Sequence, residues 1–276
     1  MDKLRFGTAG IPISTPEPGT ANGIKHVRRL GLDAFELEFV RSINITRERA
    51  PEVKKAAEGS DVVLTCHAPY FINLNSSDKA KLEASKGRIL NSARIAWLCG
   101  AWSVTFHPGF YMKMDPAKAY ENVRKCLKET VATLQGEGIK IWVRPETTGK
   151  GSQFGSLDEI LRLSQEIDQV MPCVDFAHLH ARSGGKLNSY GEFSQILGKM
   201  EKALGKGALG SMHIHTSGIA YTEKGERNHL NLKESDMRWQ DLMKALRDFR
   251  AKGILISESP NIEDDAMLMQ REFGRA

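Results

Sequence analysis

Cysteine and long apolar runs are what this sequence has least of. It has four cysteines in 276 residues, with no CxxC pair and no spacing that suggests disulfides. Cys66 and Cys173 lie in apolar, strand-like runs, where a reduced thiol packs as a small hydrophobic group. We therefore expect the cysteines to be structural residues.

No apolar run reaches the roughly 20 residues that a bilayer span requires, and residues 1–6 contain no hydrophobic signal core. These absences predict a soluble, cytoplasmic protein without a membrane partner. The chain also lacks a linker, a low-complexity tract and an obvious repeat, so we expect one domain over residues 1–276. The net charge of +5 permits an anionic partner but does not require one.

Short apolar runs alternate with longer amphipathic runs along the whole chain. The short runs predict strands at Leu4–Thr8, Ala34–Phe39, Val62–Cys66, Ser103–Phe106, Lys140–Val143, Met171–Asp175, Ser211–His215 and Gly253–Ser257. The longer runs predict helices that include Asp78–Leu98, Pro116–Gln135 (capped by Asp115), Leu157–Ile167 and Asp236–Arg250. Because each crossover helix returns the chain in the same direction, eight such units predict a parallel sheet. We expect an α/β fold, the (β/α)8 TIM barrel, with an open doubly wound sheet as the main alternative.

Six consecutive predicted strands end in at least one His, Asp or Glu. These ends are Thr65–Tyr70, Phe106–Gly109, Arg144–Gly149, Asp175–His180, His213–His215 and Ser257–Pro260. A single histidine or glutamate in such a loop is more often a structural or solvated group. In a barrel, however, all these loops meet at one rim, and independent structural roles would not be expected to concentrate there.

This cluster of imidazoles and carboxylates indicates metal ions, because ions compensate several buried carboxylates at once. Nitrogen and oxygen donors without thiolates suit zinc, manganese or iron. The candidate ligands outnumber the four of one tetrahedral site; they are His67, His107, Glu146, Asp175, His178, His213, Glu258 and one further histidine. We therefore expect two or three ions, with zinc first, that activate water for phosphoester cleavage.

The same segments resemble the motifs of the endonuclease IV family of abasic-site endonucleases, within the xylose isomerase-like TIM barrels. HAPYFINL, from His67 to Leu74, is similar to the family's HAPYLINL-type motif, and residues 107–109 match its HPG. ETTGKGS, from Glu146, resembles ENTAGQGS, and residues 175–178 resemble DxxH. His213 and Glu258 stand where the family has its last histidine and final glutamate. The resemblance runs in family order from about the second strand to the eighth.

The resemblance implies hydrolysis of the DNA phosphodiester on the 5′ side of an abasic site, as in base excision repair. It implies three ligand sets that share residues: His67, His107 and Glu146; then Glu146, Asp175, His213 and Glu258; and His178 with a third ion. A hydroxide that bridges the first two ions would attack phosphorus. Glu146 would bridge these ions and Glu258 would orient the hydroxide, so these two are the expected catalytic residues.

The motif for the third ion departs from the family pattern. The family has Asp-x-His thirteen residues after the histidine of its seventh strand, whereas this chain has, from thirteen residues after His213, Glu226-Arg227-Asn228-His229. Asparagine stands at the expected histidine, and a histidine follows one place later. A shifted loop would let Glu226 and His229 bind the third ion; otherwise the site holds two ions.

The family also inserts loop side chains into DNA beside the lesion. Tyr70 and Phe71 stand at the matching positions, where an aromatic ring could open a base stack; the alternative is that both rings pack under the loop. Arg41 is a candidate phosphate or gap-filling contact. Lys150 and Arg182 are candidate contacts to the DNA backbone. The expected partner is double-stranded DNA that contains abasic sites, bound by a monomer.

Two other functions remain open from the sequence. A single-metal sugar isomerase or epimerase of the xylose isomerase-like group would use the quartet Glu146, Asp175, His213 and Glu258. Such an enzyme need not ligate through His67, His107 or His178, which favours the nuclease. The second alternative is a protein that binds damaged DNA without cutting it. The complete quartet disfavours this alternative, because it indicates that the chemistry has been retained.

Overall fold

Eight parallel strands form one barrel in a computed structural model that describes residues 1–275. The barrel strands are β1 (Leu4–Ala9), β2 (Ala34–Glu38), β3 (Val63–His67), β4 (Ser103–Phe106), β5 (Trp142–Pro145), β6 (Cys173–Asp175), β7 (Met212–Thr216) and β8 (Gly253–Ser257). They pair in the order β5-β4-β3-β2-β1-β8-β7-β6. Two single parallel bridges, Val143 with Val170 and Glu146 with Cys173, join β5 to β6. The predicted (β/α)8 TIM barrel is therefore confirmed.

Helices connect the strands and form the outer layer. They are α1 (Thr20–Arg29), α2 (Ala50–Ser60), α3 (Lys79–Leu98), α4 (Pro116–Gly136), α5 (Leu157–Glu166), α6 (Phe176–Arg182), α7 (Tyr190–Leu204), α8 (Lys206–Leu209), α9 (Trp239–Asp248) and α10 (Glu263–Phe273). Asp115 caps α4 as predicted, because its carboxylate accepts from the backbone N–H groups of Ala117 and Lys118. No helix within residues 1–275 is long and apolar enough to cross a membrane.

The fifth strand lies two residues further along the chain than predicted. The sequence places it at Lys140–Val143, whereas β5 spans Trp142–Pro145. A charged residue such as Arg144 is typical of the end of a strand, yet this side chain is fully buried. Its guanidinium stacks on Trp102, 4.3 Å from the ring centroid. Its N–H groups donate to the carbonyls of Pro172 and Ser211, so hydrogen bonds accommodate this cation inside the barrel.

Helix α6 is short and follows β6 without a loop. The Asp175 carboxylate caps it by accepting from the backbone N–H of His178, at 2.7 Å. All of its residues except Arg182 are buried. The Phe176 ring meets the Phe193 ring of α7 edge-on, with 5.8 Å between their centroids. Helix packing therefore fixes the position of His178.

A β-hairpin follows β7 and lies beside the mouth of the barrel. Its antiparallel strands are Gly218–Thr222 and Gly225–Leu230. The hairpin contacts the loop after β5, where the N–H of Glu226 donates to the carbonyl of Gly149. A Cβ on Gly149 would lie 2.6 Å from the Cβ of Glu226, so this approach requires glycine.

Replacing Phe176 with alanine should lower the free energy of unfolding by about 3–5 kcal/mol, because the ring is fully buried and its loss leaves a cavity against Phe193. Urea unfolding measures the change. Phe71→Ala is the control, since that ring is 64% exposed, and should cost less than about 0.5 kcal/mol. Equal losses in both variants would contradict the anchoring role of Phe176.

Candidate metal centre

Imidazoles and carboxylates from six strand ends meet at one rim of the barrel. They come from the ends of β3 to β8, because parallel strands bring their C-terminal ends together. Their side chains form overlapping groups in which one ligand atom per residue lies within 4.8 Å of the others. Glu146, which directly follows β5, belongs to two of these groups and is fully buried.

The first group consists of His67, His107 and Glu146. The Nε2 atoms of both histidines lie 3.3 Å from Oε2 of Glu146. The Nδ1–H of His67 donates to the carbonyl of Ala68 at 2.7 Å. Since a neutral imidazole has one N–H, this bond leaves the Nε2 lone pair of His67 directed at the group.

The second group consists of Glu146, Asp175, His215 and Glu258. Nδ1 of His215 lies 3.5 Å from Oε1 of Glu146 and 3.3 Å from Oε1 of Glu258. The sequence assigns His213 to this group, whereas the structure places His215 in it. Residues two apart on a strand face the same side, so both histidines point into the barrel. His215 is the one closer to the C-terminal end of β7 and therefore reaches the rim.

The third group consists of His178, His229 and Glu258. Nε2 of His178 lies 3.5 Å from Nε2 of His229 and 3.7 Å from Oε2 of Glu226. The Nδ1–H of His229 donates to the carbonyl of Glu258. The hairpin thus carries both Glu226 and His229 to His178, whereas Asn228 is exposed and bonds the backbone of its neighbour.

The spacing around Glu146 is characteristic of atoms that share an ion. Nitrogens of His67, His107 and His215 lie 3.3–3.5 Å from its oxygens. The Nδ1 of His178 lies 3.2 Å away but carries a hydrogen, because it donates to the Thr147 carbonyl, so His178 is free to bind an ion only through Nε2. Charge-assisted hydrogen bonds are shorter, about 2.7–2.9 Å, whereas nitrogen and oxygen ligands of one tetrahedral zinc ion lie about 3.3 Å apart. Within residues 1–275, neither oxygen of Glu146 has a hydrogen-bond donor in good geometry. The donors present therefore fit divalent ions.

The ionisation of the metal-free groups reflects their burial and mutual charge. Burial alone would raise the pKa of Glu146, but the charges of His107 and His215 hold that pKa well below its usual range. Burial alone would lower the pKa of His67, but the adjacent carboxylate of Glu146 raises it to about 10. Burial raises the pKa of Glu258 to about 8 against the opposing charge of His215. The centre thus holds imidazolium–carboxylate pairs that an ion would replace.

Sequence reasoning missed two acidic residues on β2, Glu36 and Glu38. Glu36 is fully buried and contacts His213 and His215. Glu38 lies nearer the rim, and burial together with the charge of Glu36 raises its pKa to about 7. The alternation Phe35-Glu36-Leu37-Glu38 within a predicted strand was the available signal, because residues two apart share one face of a strand.

The expected DNA contacts fall into two sets. Tyr70 is 52% and Phe71 is 64% exposed beside the first group, and Arg41 is exposed in the loop after β2. Lys150 lines a cavity of about 290 Å³ over the centre. Arg182 is half-buried, and its Nη1 donates to backbone carbonyls of the loop after β5 and to the Thr148 hydroxyl. Arg182 therefore fixes that loop.

Two sequence relatives share most of this chain. An uncharacterised protein of Methanocaldococcus jannaschii is 42% identical over 271 residues, which cover 98% of this chain and 97% of that protein. A probable endonuclease 4 of Mycoplasma pneumoniae is 26% identical over 204 residues, which cover 72% of this chain and 68% of that protein.

Solved structures resemble the fold at low identity. A D-tagatose 3-epimerase-like protein superposes on this chain with a TM-score of 0.72 at 16% identity. The matched region covers 96% of this chain and 94% of that protein. Endonuclease IV from Thermus thermophilus superposes with a TM-score of 0.69 at 19% identity, and the matched region covers 96% of this chain and 97% of that protein. At these identities the likeness concerns the fold alone.

The sequence pattern of the xylose isomerase-like TIM barrels matches residues 24–274, which span seven of the eight barrel strands and the whole ligand-rich rim. The chain therefore belongs to the xylose isomerase-like TIM barrel family.

Proposed function

We propose that the protein is a metal-dependent phosphodiesterase that cuts DNA on the 5′ side of abasic sites. The observation that carries this proposal is the number of imidazoles around Glu146. His67, His107 and His178 lie within 3.2–3.3 Å of its carboxylate, in addition to His215 at 3.5 Å. A single ion in the second group needs none of the first three, whereas two or three ions use all of them. The relationship to a probable endonuclease 4 supports the same activity.

Different residues of the chain would have different roles in this reaction. Bound ions would polarise water and the phosphodiester and offset charge on the attacking and leaving oxygens. Glu146 would hold the first and second groups together. Glu258 is 12% exposed and belongs to the second and third groups, so its carboxylate is placed to orient the attacking water and accept its proton. Lys150 would contact a phosphate at the cavity wall.

The exposed rim residues would recognise the distorted duplex. Tyr70 stands beside His67, with 5.3 Å between the ring centroids, and Phe71 extends further into solvent. An aromatic side chain next to the reacting phosphate can enter a base stack that an abasic site has already weakened. Arg41 would contact the backbone on the neighbouring side of the rim.

A single-metal sugar epimerase is the second candidate. The group of Glu146, Asp175, His215 and Glu258 favours it, because these four ligands alone complete one site. In that case His67, His107 and His178 would contact a sugar in the cavity. Metal stoichiometry separates the two candidates.

The wild-type protein, purified without chelator, should contain two or three ions per chain and should nick a duplex with one abasic-site analogue, leaving a 3′-hydroxyl. Glu146→Gln should lower metal content and reduce nicking at least about 100-fold, more than loss of an outer-shell partner brings. Glu201→Gln, a half-exposed glutamate of α7, is the matched control and should remain active. One ion per chain with ketose epimerisation and no nicking would contradict the proposal.

Metal binding should release protons at pH 7. In the metal-free protein the His67 pKa is about 10, so this imidazole carries a proton that must leave before the nitrogen can bind. Apparent affinity should therefore rise with pH up to about that value. Calorimetric titration in two buffers of different ionisation enthalpy measures the proton count, and a count of zero would refute the assignment of His67 as a ligand.

Phe71→Ala should lower kcat/KM for abasic duplex about 10-fold or more, since base stacking on an aromatic ring is worth roughly 1–3 kcal/mol. Metal content should not change, because Phe71 is 64% exposed and belongs to no ligand group. Trp97→Ala, on α3 and 39% exposed, is the control for loss of a surface aromatic. Equal activity in both variants would show that Phe71 does not contact DNA.

A further inference from the structure

Below the rim, the carboxylate of Glu36 lies between the two histidines of β7. Its Oε1 is 2.8 Å from Nε2 of His215, and its Oε2 is 3.1 Å from Nε2 of His213. All three side chains are fully buried. This carboxylate belongs to none of the three ligand groups at the rim.

Within residues 1–275, the oxygens of Glu36, like those of Glu146, lack a hydrogen-bond donor in good geometry, but the distances distinguish the two carboxylates. The contact of Glu36 with His215 has the length of a charge-assisted hydrogen bond, about 2.7–2.9 Å. The contacts of Glu146 with its imidazoles are 3.2–3.5 Å long. Glu36 is therefore placed to accept protons, whereas Glu146 is placed to share an ion.

The short contact with Glu36 has a definite consequence for His215. An ionised carboxylate only accepts, so the Nε2 atom that faces it carries the hydrogen. The lone pair of a neutral His215 is then on Nδ1, which faces Glu146 at 3.5 Å and Glu258 at 3.3 Å. Contact with Glu36 thus selects the tautomer that the second group needs.

His213 completes this inner network. Its Nε2 lies 3.1 Å from Oε2 of Glu36, and its Nδ1 lies 3.1 Å from the hydroxyl of Ser103, which can donate or accept. The Nε2 atoms of His213 and His215 also lie 3.2 Å apart, within hydrogen-bonding distance, so the Nε2–H of His215 can donate to His213 as well as to Glu36. The network therefore runs from β4 through β7 to β2 and gives His213 a role other than ligation.

We propose that Glu36 is the positioning residue of the metal centre, which fixes the tautomer and ring orientation of His215 through a carboxylate–histidine–metal arrangement. The inference rests on the metal centre of the proposed function but is independent of whether the substrate is DNA or a sugar. Failure to cut DNA would therefore leave it standing.

Glu36→Gln tests the proposal with a side chain of equal size. The amide presents an N–H₂ group to one histidine and no charge to the other, so the favoured tautomer is lost. Zinc affinity, measured by chelator competition, should fall about 10–100-fold, the range for outer-shell partners. Asp33→Asn is the matched control. Asp33 is a buried carboxylate that directly precedes β2 and bonds the Phe6 N–H and Lys3, so its loss should lower stability without weakening zinc binding.

Unchanged zinc affinity in folded Glu36→Gln, or an equal loss in Asp33→Asn, would overturn the proposal. A second measurement does not depend on any variant folding. Long-range ¹H–¹⁵N correlation spectra of zinc-loaded wild-type protein should show His215 with hydrogen on Nε2 and metal on Nδ1. Hydrogen on Nδ1 would overturn the assignment.

Cys173 suggests an alternative hypothesis, in which the inner histidines His213 and His215 bind an ion themselves. Together with His213 and His215 it forms a further group of ligand-type atoms within 4.8 Å. The three rim groups contain no cysteine, so cobalt-loaded wild-type protein should show no thiolate-to-cobalt absorption in the near ultraviolet. Such a band, if lost in Cys173→Ser but kept in Cys66→Ser, would mean that the inner histidines bind an ion themselves, and the positioning role would fall.

Discussion

The structure depends on the burial of the Glu146 carboxylate at the mouth of the barrel. Removing a carboxylate from water costs several kcal/mol unless opposite charge or hydrogen bonds replace the solvent. Within residues 1–275, no lysine or arginine pairs with Glu146, and imidazoles surround it instead. The ligand sets, the inner network and the loop supports all act on this one group.

Two supporting layers hold the groups that meet Glu146. From below, Glu36 orients His215, while Arg144 occupies the barrel interior and its N–H groups donate to the carbonyls that directly precede β6 and β7. From the side, Arg182 holds the loop after β5 by bonds to its carbonyls. The hairpin also rests on this loop, so Glu226 and His229 approach His178 from a fixed surface. Outer contacts of this kind orient the ligands that an ion would bind.

The barrel itself does not decide between nuclease and epimerase. Structures of both kinds share the fold with this chain at under 20% identity, and the quartet of the second group serves either chemistry. The difference lies in the additional imidazoles from β3, β4 and α6. In the proposed nuclease they are ligands of further ions, and in an epimerase they would be substrate contacts. Function on this fold is therefore a property of ligand number rather than of topology.

Much of the centre follows from the sequence, because parallel strands must bring their C-terminal ends to one rim. That rule places His67, His107, Glu146 and Glu258 together before any coordinates are known. The same strand periodicity predicts that His213 and His215 share a face, but not which of them reaches the rim. That choice depends on the register of β7 against β6 and β8.

The sequence alone therefore determined the eight-unit barrel and the chemistry of its rim, since hydrophobic period and strand-end residues are local properties. Tertiary structure decided the selection of His215 over His213, the internal use of Arg182 and Arg144, and the role of Glu36. Each of these depends on partners far apart in the chain, such as Ser103 and His213, 110 residues from each other. A local pattern specifies which face a side chain occupies, whereas its depth and its partners are set only when the strands close into a barrel.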